Sequence, residues 1–250
     1  MTLLEKLRYK KNNGQKSLAI LIDPDQHQGS ITHDIISQSL LHGVDLFLVG
    51  GSLVSNGITQ KCVADLKKFG APHVVLFPGN EIQLAPEADA LLFMSLISGR
   101  NPEYLIGKQV IAAPWVKKHQ IETLPTGYML VESGKLTSAL YISGTLPLPN
   151  DKPDIAAATA MAGEMLGMKI LYLDAGSGAQ KPVPQNLIKA VNKNTESVLF
   201  VGGGIKSQEQ AVNAWLSGAD IVVVGNGIFE SSSLLQELCV SLNQFNEVQL

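Results

Sequence analysis

Only two cysteines occur in 250 residues, Cys62 and Cys239, and neither has a Cys-x-x-Cys partner or a nearby histidine. That excludes a disulfide framework and a zinc site of ordinary spacing, and two buried thiols in a reducing cytosol are the expectation. No apolar run approaches the roughly 20 residues that span a bilayer, and the N-terminus lacks the basic-then-apolar layout of a secretory signal. A cytoplasmic protein with at most peripheral membrane contact and no transmembrane segment is expected. Charge of one sign is scarce as well: 19 Lys and Arg against 22 Asp and Glu leave a net charge of −3. The basic residues are dispersed, so the electrostatic footprint of a nucleic-acid binder is missing, and an anionic substrate has to be held by local geometry. Pro/Ser-rich linkers, charge blocks and low-complexity segments are missing too, and residues 1–250 are expected to form one domain.

What is present centres on one stretch, Leu199 to Asn226, where Leu-Phe-Val-Gly-Gly-Gly-Ile is followed by a helical pattern and then by Ile-Val-Val-Val-Gly-Asn. Both apolar runs are short, β-branched and unalternated, which suits parallel strands buried on both faces. Each ends at glycine. Lacking a Cβ, Gly202, Gly203, Gly204 and Gly225 let backbone N–H groups approach an anion, and a following helix adds partial positive charge at its N-terminus. The pair reads as a phosphate cradle, placed where (β/α)8 barrels hold phosphate, after strands seven and eight. Glycines that merely make tight strand-to-helix turns are the plainer reading, and two such loops one helix apart weigh against it.

The rest of the chain has the rhythm of a (β/α)8 TIM barrel. Further apolar runs span Ser17 to Ile22, Asp45 to Val49, His73 to Phe77, Ala90 to Phe93, Tyr128 to Val131 and Lys169 to Leu173, most of them with a helical pattern behind. The helices after strands 3 to 5 are modified. Glu81 to Pro86 is too short for more than a turn, and the helix opened by Pro102 is expected to kink or split at Pro114. Met94 to Ile97 reads as an unusually apolar loop, and Leu140 to Pro149 as an apolar segment too broken by Gly and Pro for regular structure. Asp154 is expected to cap the next helix.

The strand ends carry the chemistry. Asp23-Pro24-Asp25 places two carboxylates just past strand one, suited to a hard cation such as Mg2+, or equally to an Asx-turn with Asp25 capping the next turn. Ser52, past strand two, can join a metal shell, donate to phosphate or cap a helix. Asp174-Ala175-Gly176-Ser177-Gly178, past strand six, can hold a polyol hydroxyl and offer backbone N–H groups together. The five histidines lack ligand-spaced partners and are expected at the surface or as caps.

Together, Leu21-Ile22-Asp23-Pro24-Asp25, Val49-Gly50-Gly51-Ser52, Leu76-Phe77-Pro78-Gly79-Asn80, Tyr172-Leu173-Asp174-Ala175-Gly176-Ser177-Gly178-Ala179, Val201-Gly202-Gly203-Gly204-Ile205 and Val224-Gly225-Asn226 resemble the motifs of the geranylgeranylglyceryl phosphate synthases. The resemblance covers nearly the whole chain. It implies a Mg2+-dependent homo-oligomeric prenyltransferase, dimer or hexamer, that joins sn-glycerol 1-phosphate to geranylgeranyl diphosphate through an ether bond. By position it implies Asp23 and Ser52 as Mg2+ ligands. For glycerol phosphate it implies Tyr172, Leu173, Asp174, Ala175, Gly176, Ser177 and Gly178 with Gly203, Gly204, Gly225 and Asn226. Asp174 stands where many relatives have Glu. The residues themselves suggest that Asp23 and Asp174 are catalytic, the first through a cation that neutralises the leaving diphosphate, the second by orienting the attacking hydroxyl and taking its proton. The two apolar segments then serve a long prenyl tail. A sugar-phosphate isomerase or lyase would instead call for a Lys base or an opposed Asp pair in a wholly polar mouth. A non-catalytic phosphate-ligand sensor would have no use for the carboxylates.

Overall fold

The computed structural model describes residues 1–27, 29–44, 46–225, 227–228 and 232–247. Eight parallel strands close into a barrel in sequence order: β1 Ser17–Ile22, β2 Leu46–Val49, β3 His73–Leu76, β4 Ala90–Leu96, β5 Glu122–Leu130, β6 Ile170–Asp174, β7 Val198–Gly202 and β8 Ile221–Val224. Closure is made by β1 and β8, with Ser17 opposite Ile221 and Ile20 opposite Val224. The helices are α1 Leu3–Asn12, α2 Gly29–Leu41, α3 Thr59–Lys68, α4 Lys108–His119, α5 Ser138–Ser143, α6 Pro153–Met165, α7 Gln185–Asn194, α8 Gln208–Leu216 and α9 Ser232–Glu247. None among the described residues is long and apolar enough to cross a membrane.

Two cores explain why the strands are apolar on both faces. Ala19, Leu48, Val75, Leu92, Leu124, Tyr172, Phe200 and Val223 fill the barrel, while Ile20, Phe47, Val74, Leu91, Leu171, Val201 and Val222 pack against the helices. Side chains alternate along each strand, so the inward set continues past Ala19 and Leu21 to Asp23, past Tyr172 to Asp174, and past Ile221 and Val223 to Gly225. That parity places the strand-end chemistry at the mouth. The opposite end is stoppered by α1, whose Leu3 and Leu7 are buried in the inner core. Its first turn is held by a Thr2–Glu5 capping box, and Glu122 of β5 accepts the Leu3 and Leu4 N–H groups at 2.8 Å each.

The middle of the chain departs from the sequence reading. Met94 to Leu96 is not loop but the end of β4, paired with Thr126 to Tyr128; its apolarity is that of a barrel strand. The fifth strand begins at Glu122, well before the expected Tyr128, and runs through Pro125 and Gly127. The helix opened at Pro102 is in two pieces, a π-helical turn, Glu103–Gly107, and α4, which continues without a break through Pro114. The division therefore falls upstream of the proline, not at it. Ser138–Ser143, which overlaps the start of the second apolar segment, forms the short helix α5, and Leu148 bridges to Val131. Asp154 sits in the first turn of α6 without capping it; Pro153 occupies the first position, with Lys152 before it.

Candidate active site

The barrel mouth opens into a cavity of about 450 Å³ with two chemically different ends. Asp23, Ser52, Asp174, Gly203, Gly204 and Gly225 line the polar end, at β1, β2 and β6 to β8. Phe93, Leu96, Tyr104, Ala112, Leu130 and Ile142 line the apolar end, built by β4, β5, the π-helical turn, α4 and α5. The Tyr104 hydroxyl donates to the Ile142 carbonyl at 3.2 Å and Asn101 Nδ2 to the Ser143 carbonyl at 2.8 Å, so the turn and α5 are tied together across this end. Gln109 Nε2 donates to the Met94 and Tyr104 carbonyls, which anchors the turn to β4. A π-turn at such a place is common where a helix must present a functional wall.

The two carboxylates after β1 divide. Asp23 points into the cavity, and its Oδ1 accepts the Asp25 N–H at 3.0 Å, an Asx-turn. Burial pushes its carboxyl above the usual range, opposed by that hydrogen bond. Asp25 does not cap the following turn. It reaches across to the loop after β2 and accepts the backbone N–H groups of Ser55, Asn56 and Gly57 and the Ser55 hydroxyl, which hold it down at about 2.

Asp174 is buried. Its Oδ1 accepts the Gly176 N–H at 2.7 Å and its Oδ2 the Tyr128 hydroxyl at 2.6 Å. Burial raises its carboxyl above the ordinary value, and these two donors pull the other way. The Tyr128 and Tyr172 hydroxyls are pushed well up, by burial first and by the Asp174 charge second. Gly203, at φ +79°, lies so close under the β6 loop that a Cβ there would meet the Gly176 N at 2.5 Å, Asp174 Oδ1 at 2.6 Å and the Ala175 N at 2.8 Å. Main chain packs on main chain, and the cradle is the result.

Of the residues expected to hold glycerol phosphate, Tyr172, Asp174, Gly176, Ser177, Gly178, Gly203, Gly204 and Gly225 come together around the cavity. Leu173 and Ala175 do not. Strand alternation turns Leu173 into the outer core, and Ala175 is buried there too, its N–H spent on the Gly202 carbonyl at 3.0 Å. Asn226 lies outside the described residues, as does Asp45 at the expected start of β2. Cavity residues that escaped the sequence reading include Tyr128, Gln109 and Lys108, the last paired with Glu81 at 3.0 Å. Tyr128 was findable by strand parity, being two residues before inward-facing Leu130. His27, expected at the surface or as a cap, has its side chain tucked between Thr32 Oγ1 at 3.0 Å and Asp65 Oδ2 at 2.9 Å, joining the β1 loop to α2 and α3.

Fold and mouth together define a (β/α)8 barrel whose mouth holds a cavity polar at one end and apolar at the other. Residues 11–242 match the model of the PcrB family. The geranylgeranylglyceryl phosphate synthase of Spirosoma linguale is 48% identical over 96% of this chain and 97% of its own, and that of Thermococcus gammatolerans 38% over 92% and 91%. The crystal structure of (S)-3-O-geranylgeranylglyceryl phosphate synthase from Thermoplasma acidophilum, in complex with sn-glycerol-1-phosphate, superposes with a TM-score of 0.90 at 29% identity, covering 99% of both chains. The chain belongs to the PcrB family of geranylgeranylglyceryl phosphate synthases, which are prenyltransferases.

Proposed function

We propose that this enzyme joins the free primary hydroxyl of sn-glycerol 1-phosphate to geranylgeranyl diphosphate. The observation that carries the reading is the single cavity in which a glycine-walled, carboxylate-bearing end runs into an apolar one. A sugar-phosphate isomerase or lyase gives the apolar half no use. In the transfer, the allylic C–O bond to diphosphate breaks, the hydroxyl oxygen forms the new C–O bond, its proton passes to Asp174, and diphosphate leaves. The glycine loops hold the phosphate of the acceptor by backbone N–H groups. Asp174, fixed from both oxygens, still has a lone pair on each to receive the hydroxyl. A weak base is adequate there, because the proton becomes acidic only as the oxygen bonds to carbon. The apolar walls keep water, the competing nucleophile, from the allylic carbon.

Asp23 fits a Mg2+ ion. It is a half-buried carboxylate with one N–H on Oδ1, and Ser52 lines the same end of the cavity. Among the described residues no group of three or more His, Cys, Asp or Glu is gathered as a cage, which suits a cation held by one carboxylate together with substrate phosphates. When bound there, Mg2+ would neutralise the diphosphate leaving group. Incubation with Mg2+, sn-glycerol 1-phosphate and radiolabelled geranylgeranyl diphosphate, followed by butanol extraction, is expected to move label into a phospholipid product. EDTA should abolish this and excess Mg2+ restore it. Absence of product at any Mg2+ level would overturn the reading, and full activity in EDTA would remove the metal from it.

A further inference from the structure

Tyr128 has no part in the transfer as described, yet it makes the shortest contact to the reacting carboxylate, 2.6 Å from its hydroxyl to Asp174 Oδ2. Its ring cannot easily leave. It stands edge-on to Phe77 at 5.7 Å and to Tyr172 at 5.4 Å, while Tyr172 stacks on Phe77 at 5.3 Å. Tyr128 and Asp174 come from neighbouring strands, with Tyr128 opposite Tyr172 and Leu130 opposite Asp174 in the ladder. The hydroxyl thus reaches diagonally up one step to the acid. With the Gly176 N–H on Oδ1, each carboxylate oxygen is held by one donor and the plane of the group is set.

We propose that Tyr128 is a positioning residue for the prenyl transfer, its hydroxyl holding Asp174 in the orientation and the ionised state in which it accepts the proton of the attacking alcohol. The proposal rests on the role given to Asp174 above. The titratable groups facing Asp174 are Tyr128 from β5 and Tyr172 from β6. Strand β7 brings Gly202 and Gly203, which carry no charge, and Asp23, Lys108 and Lys206 line the same cavity. A donor to the ionised form favours that form. Loss of the Tyr128 hydroxyl therefore leaves Asp174 protonated to higher pH, and a protonated base cannot act. The burial that already raises the carboxyl makes this donor matter more.

Tyr128→Phe keeps the ring and its packing and removes only the hydroxyl. The expected result is a fall in kcat of roughly ten- to hundredfold, with KM for sn-glycerol 1-phosphate little changed. The acid limb of the kcat/KM profile should move up by about one pH unit, a tenfold change in proton affinity. The carboxyl 13C titration of Asp174 in the ligand-free variant should move the same way, a readout that does not depend on turnover. Asp174→Asn should be slow, and adding Tyr128→Phe to it should cost little further rate. An unmoved acid limb and an unmoved carboxyl titration in Tyr128→Phe would overturn the proposal and leave the tyrosine as packing. A fully active Asp174→Asn would instead overturn the role of Asp174.

Discussion

Asp23 and Asp25 are two residues apart and have opposite environments. Asp25 gains backbone donors, so its carboxyl is held at about 2 and its contribution to stability is present above the unfolded value of 3.8 and lost as pH falls toward 2. Asp23 is raised by burial, so the reverse applies. Its protonated form is the one the fold favours; the stabilisation is complete below 3.8 and disappears as pH rises through its folded value. At neutral pH the ligand-free protein therefore bears the cost of an ionised Asp23. Asn at this position keeps an Oδ1 for the Asp25 N–H and removes the charge. Asp23→Asn is expected to melt at or above the wild-type temperature at pH 7, the gap closing as pH approaches 4, while turnover falls by roughly a hundredfold or more. A variant that melts well below wild type at pH 7 would mean that Asp23 serves the loop rather than the site. Among the described residues, five buried side-chain atoms have no hydrogen-bond partner, Gln83 Nε2, Gln109 Oε1, Ser133 Oγ, Thr137 Oγ1 and Ser217 Oγ, and of these Gln109 is on the cavity wall.

At the scale of elements, the two glycine loops after β7 and β8 are not equivalent probes of the cradle. A side chain at Gly203 would strike the backbone of the β6 loop and need a φ of +79°, so substitution there tests folding as much as binding. A Cβ at Gly225 meets nothing closer than Leu21 at 3.6 Å, an ordinary contact, and projects into the cavity. Gly225→Ala is expected to leave thermal stability nearly unchanged and to weaken sn-glycerol 1-phosphate binding in calorimetry by about tenfold, the scale of one charge-assisted hydrogen bond. Gly203→Ala should lower the melting temperature as well. Equal behaviour of the two would be at odds with the packing described. Both loops were legible in the sequence because a β-branched run stopping at glycine carries its own signal. So was β1, from Ser17 to Ile22, with no irregular residue inside it. The central elements were not. Pro125 and Gly127 sit within β5 and imitate a loop, although Lys169 N–H bonds to the Pro125 carbonyl at 2.9 Å and Ile97 fills the space a Cβ at Gly127 would need. With β5 begun at Tyr128 and β4 ended at Phe93, the ladder that pairs Met94 to Leu96 with Thr126 to Tyr128 went unseen, and Met94 to Leu96 read as loop.

Over the whole molecule, chemistry and stability lie at opposite ends of the barrel. The mouth gathers the carboxylates and the glycine loops, whereas the far end is closed by α1 with Leu3 and Leu7 in the inner core. Leu7→Ala should cost about 2–3 kcal/mol, and so lower the melting temperature by about 5–10 °C for a chain of this size. Its kcat/KM at a temperature where the variant is folded should match wild type; a fall would show that the stopper is felt at the mouth.

The cradle is built from peptide groups, and this decides what mutation can reach. A site made of side chains can be retuned one codon at a time, but Gly203 admits no other residue without moving the β6 loop, so on the function proposed above the grip on the phosphate is nearly closed to gradual change. The apolar end is the opposite: side chains such as Tyr104, Ile142 and Ala112 make its wall. On the proposed function, one half of the cavity resists substitution because it is main chain while the other is open to it because it is side chain, so a change in the tail accepted need not disturb the hold on the head group.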